Sequence, residues 1–96
     1  MKITKTKYGK IKYQVFKGDE QISGYVELLS IFVNEEYRHQ GYGTELIGLL
    51  MLEAKKLGIK EIITRANTDG ESDIFGKFLT ENGFEKTFYT IFSKTL

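Results

Sequence analysis

The sequence predicts an α/β domain, a mixed and mostly antiparallel sheet with a central parallel strand pair and two helices. Three observations carry that prediction. Period-two alternation marks strands in the first third of the chain and again at its end. Two stretches of helical spacing each stop at a glycine, Gly58 and Gly83. The order strand, helix, strand then demands a right-handed crossover, which leaves two strands side by side and parallel.

The elements follow in order. Ile3 to Tyr8 reads as a short strand ended by Gly9. From Lys10 to Phe16, Ile11, Tyr13 and Val15 take one face and Lys10, Lys12 and Gln14 the other, a half-buried strand. Lys17-Gly18-Asp19-Glu20 is a turn, and Gln21 begins the return strand of a hairpin. Tyr25 to Val33 is apolar except at Glu27 and Ser30, as expected of a strand covered on both faces. Asn34 to Gly43 is a polar loop. Thr44 to Leu57 repeats Leu46, Ile47, Leu50, Ala54 and Leu57 on one helical face. Lys60 to Arg65 is a short strand and Ala66 to Gly70 a loop. Ser72 to Asn82 groups Ile74, Phe75, Phe78 and Leu79 on a second helical face. Phe84 to Leu96 is one long aromatic strand, or two strands joined by a bulge.

Composition narrows the function. Ninety-six residues with 41% hydrophobic and 28% charged side chains fit a single domain, residues 1–96, with a thin core. No Cys is present, which excludes a disulfide framework, a thiolate metal site and a thiol nucleophile, and with a single His no structural zinc site is expected. A net charge of +1 argues against nucleic acid as a partner. Six lysines against Asp19 and Glu20 in residues 1–26 read as a solvated strand face. The longest apolar run, Leu46 to Leu52, is too short to cross a membrane, and the lysine-rich start resembles no secretory leader. The expectation is a cytoplasmic protein.

The chemistry concentrates in Val33-Asn34-Glu35-Glu36-Tyr37-Arg38-His39-Gln40-Gly41-Tyr42-Gly43-Thr44. The segment joins a buried strand to a helix N-terminus, where backbone N–H groups lack intrahelical partners and the macrodipole is positive. Gly41 and Gly43 let the backbone turn tightly and approach a ligand, so the loop can cradle a pyrophosphate. The same glycines would also serve a plain strand-to-helix turn. The dinucleotide fingerprint is excluded because Leu46 stands where its third glycine belongs, and the triphosphate loop because no Lys follows Gly43.

Arg38-x-x-Gly41-x-Gly43, preceded by Val33 and followed by a helix, resembles the acyl-CoA motif of the GNAT superfamily of N-acetyltransferases. Asn82-Gly83-Phe84 resembles the end of that family's last core motif, and the likeness covers roughly residues 21–96. The resemblance implies an acyl-CoA N-acyltransferase-like core whose central strand parts from its parallel neighbour to admit pantetheine. It implies acetyl-CoA as cosubstrate, held by backbone groups of Ile31 and Val33 and by the amides of His39, Gln40, Gly41, Tyr42, Gly43 and Thr44. Arg38 would shape the loop or meet phosphate. Family members often use a strand Glu as general base eleven residues before the motif, and Glu27 stands there. A carboxylate within Tyr-Val-Glu-Leu-Leu also calls for an explanation by itself, either as a desolvated base or as an edge Glu paired with a neighbouring Lys.

The resemblance departs in two places. Leu79 occupies the position, four residues before Gly83, where many members place a Tyr as general acid; Tyr42 and Tyr89 are the substitutes. The helices that usually floor the acceptor site have no room before Gln21, so that side is expected to be open or completed by a second subunit. The reading is acetyl transfer to an amine acceptor, small molecule or protein, by direct attack. Its alternative is a non-catalytic CoA-binding or partner-binding module. Phe84, Phe88, Tyr89 and Phe92 on the last strand suggest a homodimer.

Overall fold

The computed structural model describes residues 1–65, 72–88 and 91–96. It contains strands β1 (Lys2–Lys5), β2 (Gly9–Gly18) and β3 (Ser23–Val33), then a 3-10 turn at Glu35–Tyr37 and helix α1 (Tyr42–Lys56). Strand β4 (Glu61–Arg65), helix α2 (Ser72–Glu81) and strands β5 (Glu85–Phe88) and β6 (Ile91–Thr95) follow. The loop expected at Ala66–Gly70 lies outside the described residues. The long final strand is instead two strands that pair antiparallel, with Phe88 opposite Ile91.

The sheet order is β1-β2-β3-β4-β6-β5, and β3 with β4 is the parallel pair expected. Both crossovers, β3–α1–β4 and β4–α2–β5, step across the sheet in the same direction. Right-handed connections therefore put both helices on one face. The ring of Phe78 on α2 packs against Gly43 at the start of α1, as this requires.

That face holds the core. Ile11 and Tyr13 of β2, Val26 and Leu28 of β3 and Ile62 of β4 pack under Leu46, Ile47, Leu50 and Ala54 of α1. Leu79 joins them from α2 and Phe92 from β6. Both helices end alike. The N–H groups of Gly58 and Ile59 donate to the Lys55 and Ala54 carbonyls, and those of Gly83 and Phe84 to Thr80 and Leu79. Gly58 at φ 72° and Gly83 at φ 86° take the left-handed turn that this double closure needs. Asn82-Gly83-Phe84 is thus a helix stop, and Phe84 seals the core behind it at 2% exposure.

Strand β3 is not covered on both faces. Leu29 and Phe32 are 42% and 45% exposed. A bulge explains why its sequence reads as continuously apolar. Tyr13 pairs with Leu28 but Lys12 with Ser30, so Leu29 is an extra residue. The inward set changes there from Val26 and Leu28 to Ile31 and Val33, which erases the alternation. The opposite face of the sheet carries no helix among the described residues.

Candidate active site

Strands β3 and β4 form a fork. Their pairing runs from Val26 opposite Ile62 to Leu28 opposite Thr64, after which β3 continues to Val33 and β4 stops at Arg65. Thr64, buried at the fork, donates its hydroxyl to the Leu28 carbonyl at 3.0 Å. The ladder on the other side of β3 fixes where the free backbone points. The Asn34 N–H donates to the Tyr8 carbonyl at 2.8 Å, so the 8–34 position is hydrogen-bonded. Alternation along an antiparallel pair then makes Gly9–Val33 and Ile11–Ile31 non-bonded positions. The N–H and C=O groups of Ile31 and Val33 therefore face away from β2, into the fork.

The loop beyond β3 is shaped by its own side chains. Arg38 Nε donates to the Val33 carbonyl at 2.9 Å, and its guanidinium carbon lies 5.4 Å from the Phe32 ring centroid. Gln40 Nε2 donates to the Glu36 carbonyl at 3.1 Å. His39 and Gly41 both adopt left-handed backbone, φ 63° and φ 87°, on either side of Gln40. Gly41 caps α1, whose first turn closes with the Glu45 N–H on the Gly41 carbonyl at 3.2 Å. The amides of Tyr42, Gly43 and Thr44 precede that bond and have no acceptor within the helix.

The two glycines divide the work. Gly41 makes the turn, and a Cβ built on it would meet nothing within 4 Å. Gly43 is already helical, and its Cβ would stand 3.0 and 3.1 Å from ring carbons of Phe78. Its smallness serves the approach of α2 to α1.

Two adjoining cavities follow. One of about 400 Å³ is lined by Val33, Arg38, His39, Gly41, Tyr42, Gly43 and Thr44, with Tyr37, Phe78 and Glu81 completing its wall. One of about 510 Å³ is apolar, lined by Ile31, Val33, Gly43, Ile74, Phe75 and Phe78. Val33, Gly43 and Phe78 border both. A larger opening of about 730 Å³ lies at the far end of the sheet, by Asp19 and Gly58. It adjoins the carbonyl end of α1, the wrong pole for an anion.

Glu27 sits one residue before the fork closes, its side chain 13% exposed. Its Oε1 accepts from Gln14 Nε2 on β2 at 3.0 Å and its Oε2 from Arg65 Nε on β4 at 3.2 Å. The expected edge pairing with a Lys does not apply. Glu27 lies on an interior strand, and its cationic partner is an Arg on β4 that the sequence did not single out. Parallel pairing sets Ile63 opposite Glu27, which brings Arg65 within diagonal reach.

The proposed acids fare differently. Leu79 is fully buried in the core. Tyr42 stacks on Tyr8 at 4.3 Å and meets Tyr37 edge-on at 5.5 Å, so its ring packs the loop against the sheet. Burial first, and the neighbouring Glu45 carboxylate second, push the Tyr8 phenol above its ordinary pKa. Tyr89 lies outside the described residues. Gln14, Arg65, Tyr8 and the Phe75–Phe78 wall were all missed by sequence reasoning, because each reaches the site only through pairing or helix packing.

A forked parallel pair, a positive helix end behind it and an apolar channel between them define an acyl-CoA-binding fold. Residues 9–84 match the model of the acetyltransferase (GNAT) family, and the chain belongs to that family. No curated protein matches it by sequence. Among solved structures it is similar to Naa50 of Arabidopsis thaliana in complex with the bisubstrate analogue CoA-Ac-MVNAL, at 24% identity and TM-score 0.71. It is also similar to the PaiA N-acetyltransferase of Thermoplasma acidophilum in complex with coenzyme A, at 25% identity and TM-score 0.74. Each likeness covers 93% of this chain, which spans 66% of the first protein and 54% of the second. The anti-CRISPR protein AcrVA5 shares the fold over 96% of this chain and 95% of its own, at 18% identity and TM-score 0.76.

Proposed function

We propose that this protein is an acetyl-CoA-dependent N-acetyltransferase acting on a primary amine by direct attack in a ternary complex. The observation that carries this reading is the fork, where the backbone edge of Ile31 and Val33, turned away from β2 and beyond the end of β4, with the Val33 carbonyl held by Arg38, meets the first amides of α1. These residues fit CoA. The amides of Tyr42, Gly43 and Thr44, with the turn at His39 to Gly41, suit a pyrophosphate. The Phe75 and Phe78 wall suits pantetheine, and the Ile31 and Val33 edge suits its amides.

Acetyl-CoA supplies an acetyl thioester. The chain's part is to hold that carbonyl at the fork and to offer backbone N–H groups to its oxygen, worth several kcal/mol in comparable sites. The acceptor nitrogen forms its bond to the carbonyl carbon, the carbon–sulfur bond breaks, and CoA leaves with the electron pair. Glu27 takes the amine proton, directly or through water. Gln14 and Arg65 hold its carboxylate in place, and an ionised carboxylate keeps lone pairs beyond the two they use. The departing thiolate takes its proton from solvent, since Leu79 cannot supply one.

That same buried Leu79 favours one second reading, a CoA-binding module without turnover. Calorimetry with acetyl-CoA tests the shared part, and absence of binding overturns both readings. Release of CoA in the presence of amine acceptors then separates them.

A further inference from the structure

The sheet face away from the helices is charged unevenly. Lys5 stands opposite Lys10, Lys10 opposite Phe32, and Lys12 opposite both Ile3 and Ser30, so all of these side chains share the open face. Phe32 is 45% exposed, with Lys10 Nζ 6.0 Å from its ring centroid and Arg38 over the same ring. Beside it a cavity of about 270 Å³ is lined by Lys5, Thr6, Gly9, Lys10, Phe32 and Asn34. Neither β1 nor β2 contains a carboxylate. Among the described strand residues, the carboxylates on this face are Glu27, already bonded to Arg65, and Glu61 and Glu85 across the sheet on β4 and β5. Among the described residues, Lys5, Lys10 and Lys12 have no carboxylate within salt-bridge distance.

Glu27 shares this face. Ser30 and Phe32, which mark the Lys12 and Lys10 rows, lie three and five residues beyond it on β3. One of those β3 residues is the bulged Leu29; on β2, where Gln14 stands opposite Glu27, the two rows lie two and four residues away, roughly 7 and 13 Å at about 3.3 Å per strand residue. An extended chain covers that distance in two to four residues, and at those spacings its side chains share one face.

We propose that the open face selects an acidic peptide acceptor. Its amine sits at Glu27, and its carboxylates two and four residues away, on the same side of the extended peptide, meet Lys12 and Lys10, with an apolar contact on Phe32. The inference rests on the transferase reading for the place of the amine, but the docking it describes is measurable without turnover.

The test is fluorescence anisotropy of labelled peptides holding one lysine, with CoA present. Peptides with acidic residues two and four positions from the lysine are compared with neutral and basic versions. Two or three exposed ion pairs give the acidic peptide a roughly 5- to 30-fold advantage at low ionic strength, shrinking with added salt. The ratio falls to about one in Lys10→Gln/Lys12→Gln and inverts in Lys10→Glu/Lys12→Glu. Equal affinities in the unmodified protein overturn the proposal, as does a preference that survives charge reversal. Sedimentation of the same variants covers the other occupant. A change of oligomeric state without peptide binding assigns the face to a second copy and also overturns it. A peptide that binds with the expected charge dependence but receives no acetyl group counts against the transferase reading alone.

Discussion

Glu27 shows how much one side chain's neighbours determine its use. Its two hydrogen bonds fix the carboxylate's orientation at the fork, which a base needs and a surface ion pair does not. Glu27→Gln keeps the shape but cannot accept the proton, so turnover should fall by roughly 10²–10⁴ while CoA affinity barely changes. Full activity of that variant across pH would assign the proton to another group. Gly41 permits a second test. A ligand present at 100 times its dissociation constant stabilises by about 2.7 kcal/mol, and blocking the cradle should remove that shift in melting temperature. Valine is the wrong probe, because φ 87° strains a β-branched residue by about 1–3 kcal/mol even without ligand. Asn tolerates that conformation, so Gly41→Asn should melt close to the parent yet lose the acetyl-CoA shift. Asp19 governs a separate pH effect. The Gln21 and Ile22 amides, each 2.8 Å from Oδ1, hold its carboxyl below the usual range. Its contribution is therefore complete above the ordinary value near ~3.9 and is lost as pH falls through the lowered one. Asp19→Asn should remove that part of the acid loss in a melting series.

At the level of elements, the contact between α1 and α2 sets the width of the cleft. Gly43 leaves just enough room for the Phe78 ring, so the two helices share one wall of both cavities. Gly43→Val should overpack this contact and cost about 1–3 kcal/mol. Phe78→Leu in the same chain should recover part of the loss, a coupling readable in a double-mutant cycle of urea midpoints. Additive effects would mean that the helices do not meet there. The β3 bulge acts on the same scale. By inserting Leu29 it turns Ile31 and Val33 inward while leaving Glu27 on the open face. The donor channel and the proposed base thus belong to opposite faces of one strand.

For the molecule as a whole, the structure takes two of the four aromatics behind the expected homodimer out of the exposed surface. Phe84 and Phe92 are 2% and 5% exposed, part of the core under the helices. Phe88's side chain and Tyr89 lie outside the described residues. Phe92→Glu should therefore abolish cooperative unfolding, because it buries an unpaired charge, and should not release a folded monomer. Size-exclusion chromatography with circular dichroism distinguishes the outcomes, and a folded, smaller species would restore the C-terminal strand as an interface.

The sequence alone determined the element order, the parallel pair and the loop from Val33 to Thr44, because periodicity, glycine stops and crossover handedness are local or topological rules. It placed Glu27 beside that loop only through family resemblance. The bulge at Leu29 was not legible, since an added apolar residue in an apolar run leaves no mark in the pattern. Nor were Arg65 and Gln14, which reach Glu27 from strands 38 and 13 residues away in the chain. Tertiary structure likewise decided that both helices share one face and that Phe92 belongs to the core beneath them. Those outcomes depend on which strands become neighbours, and neighbours are chosen by the packing of the whole sheet.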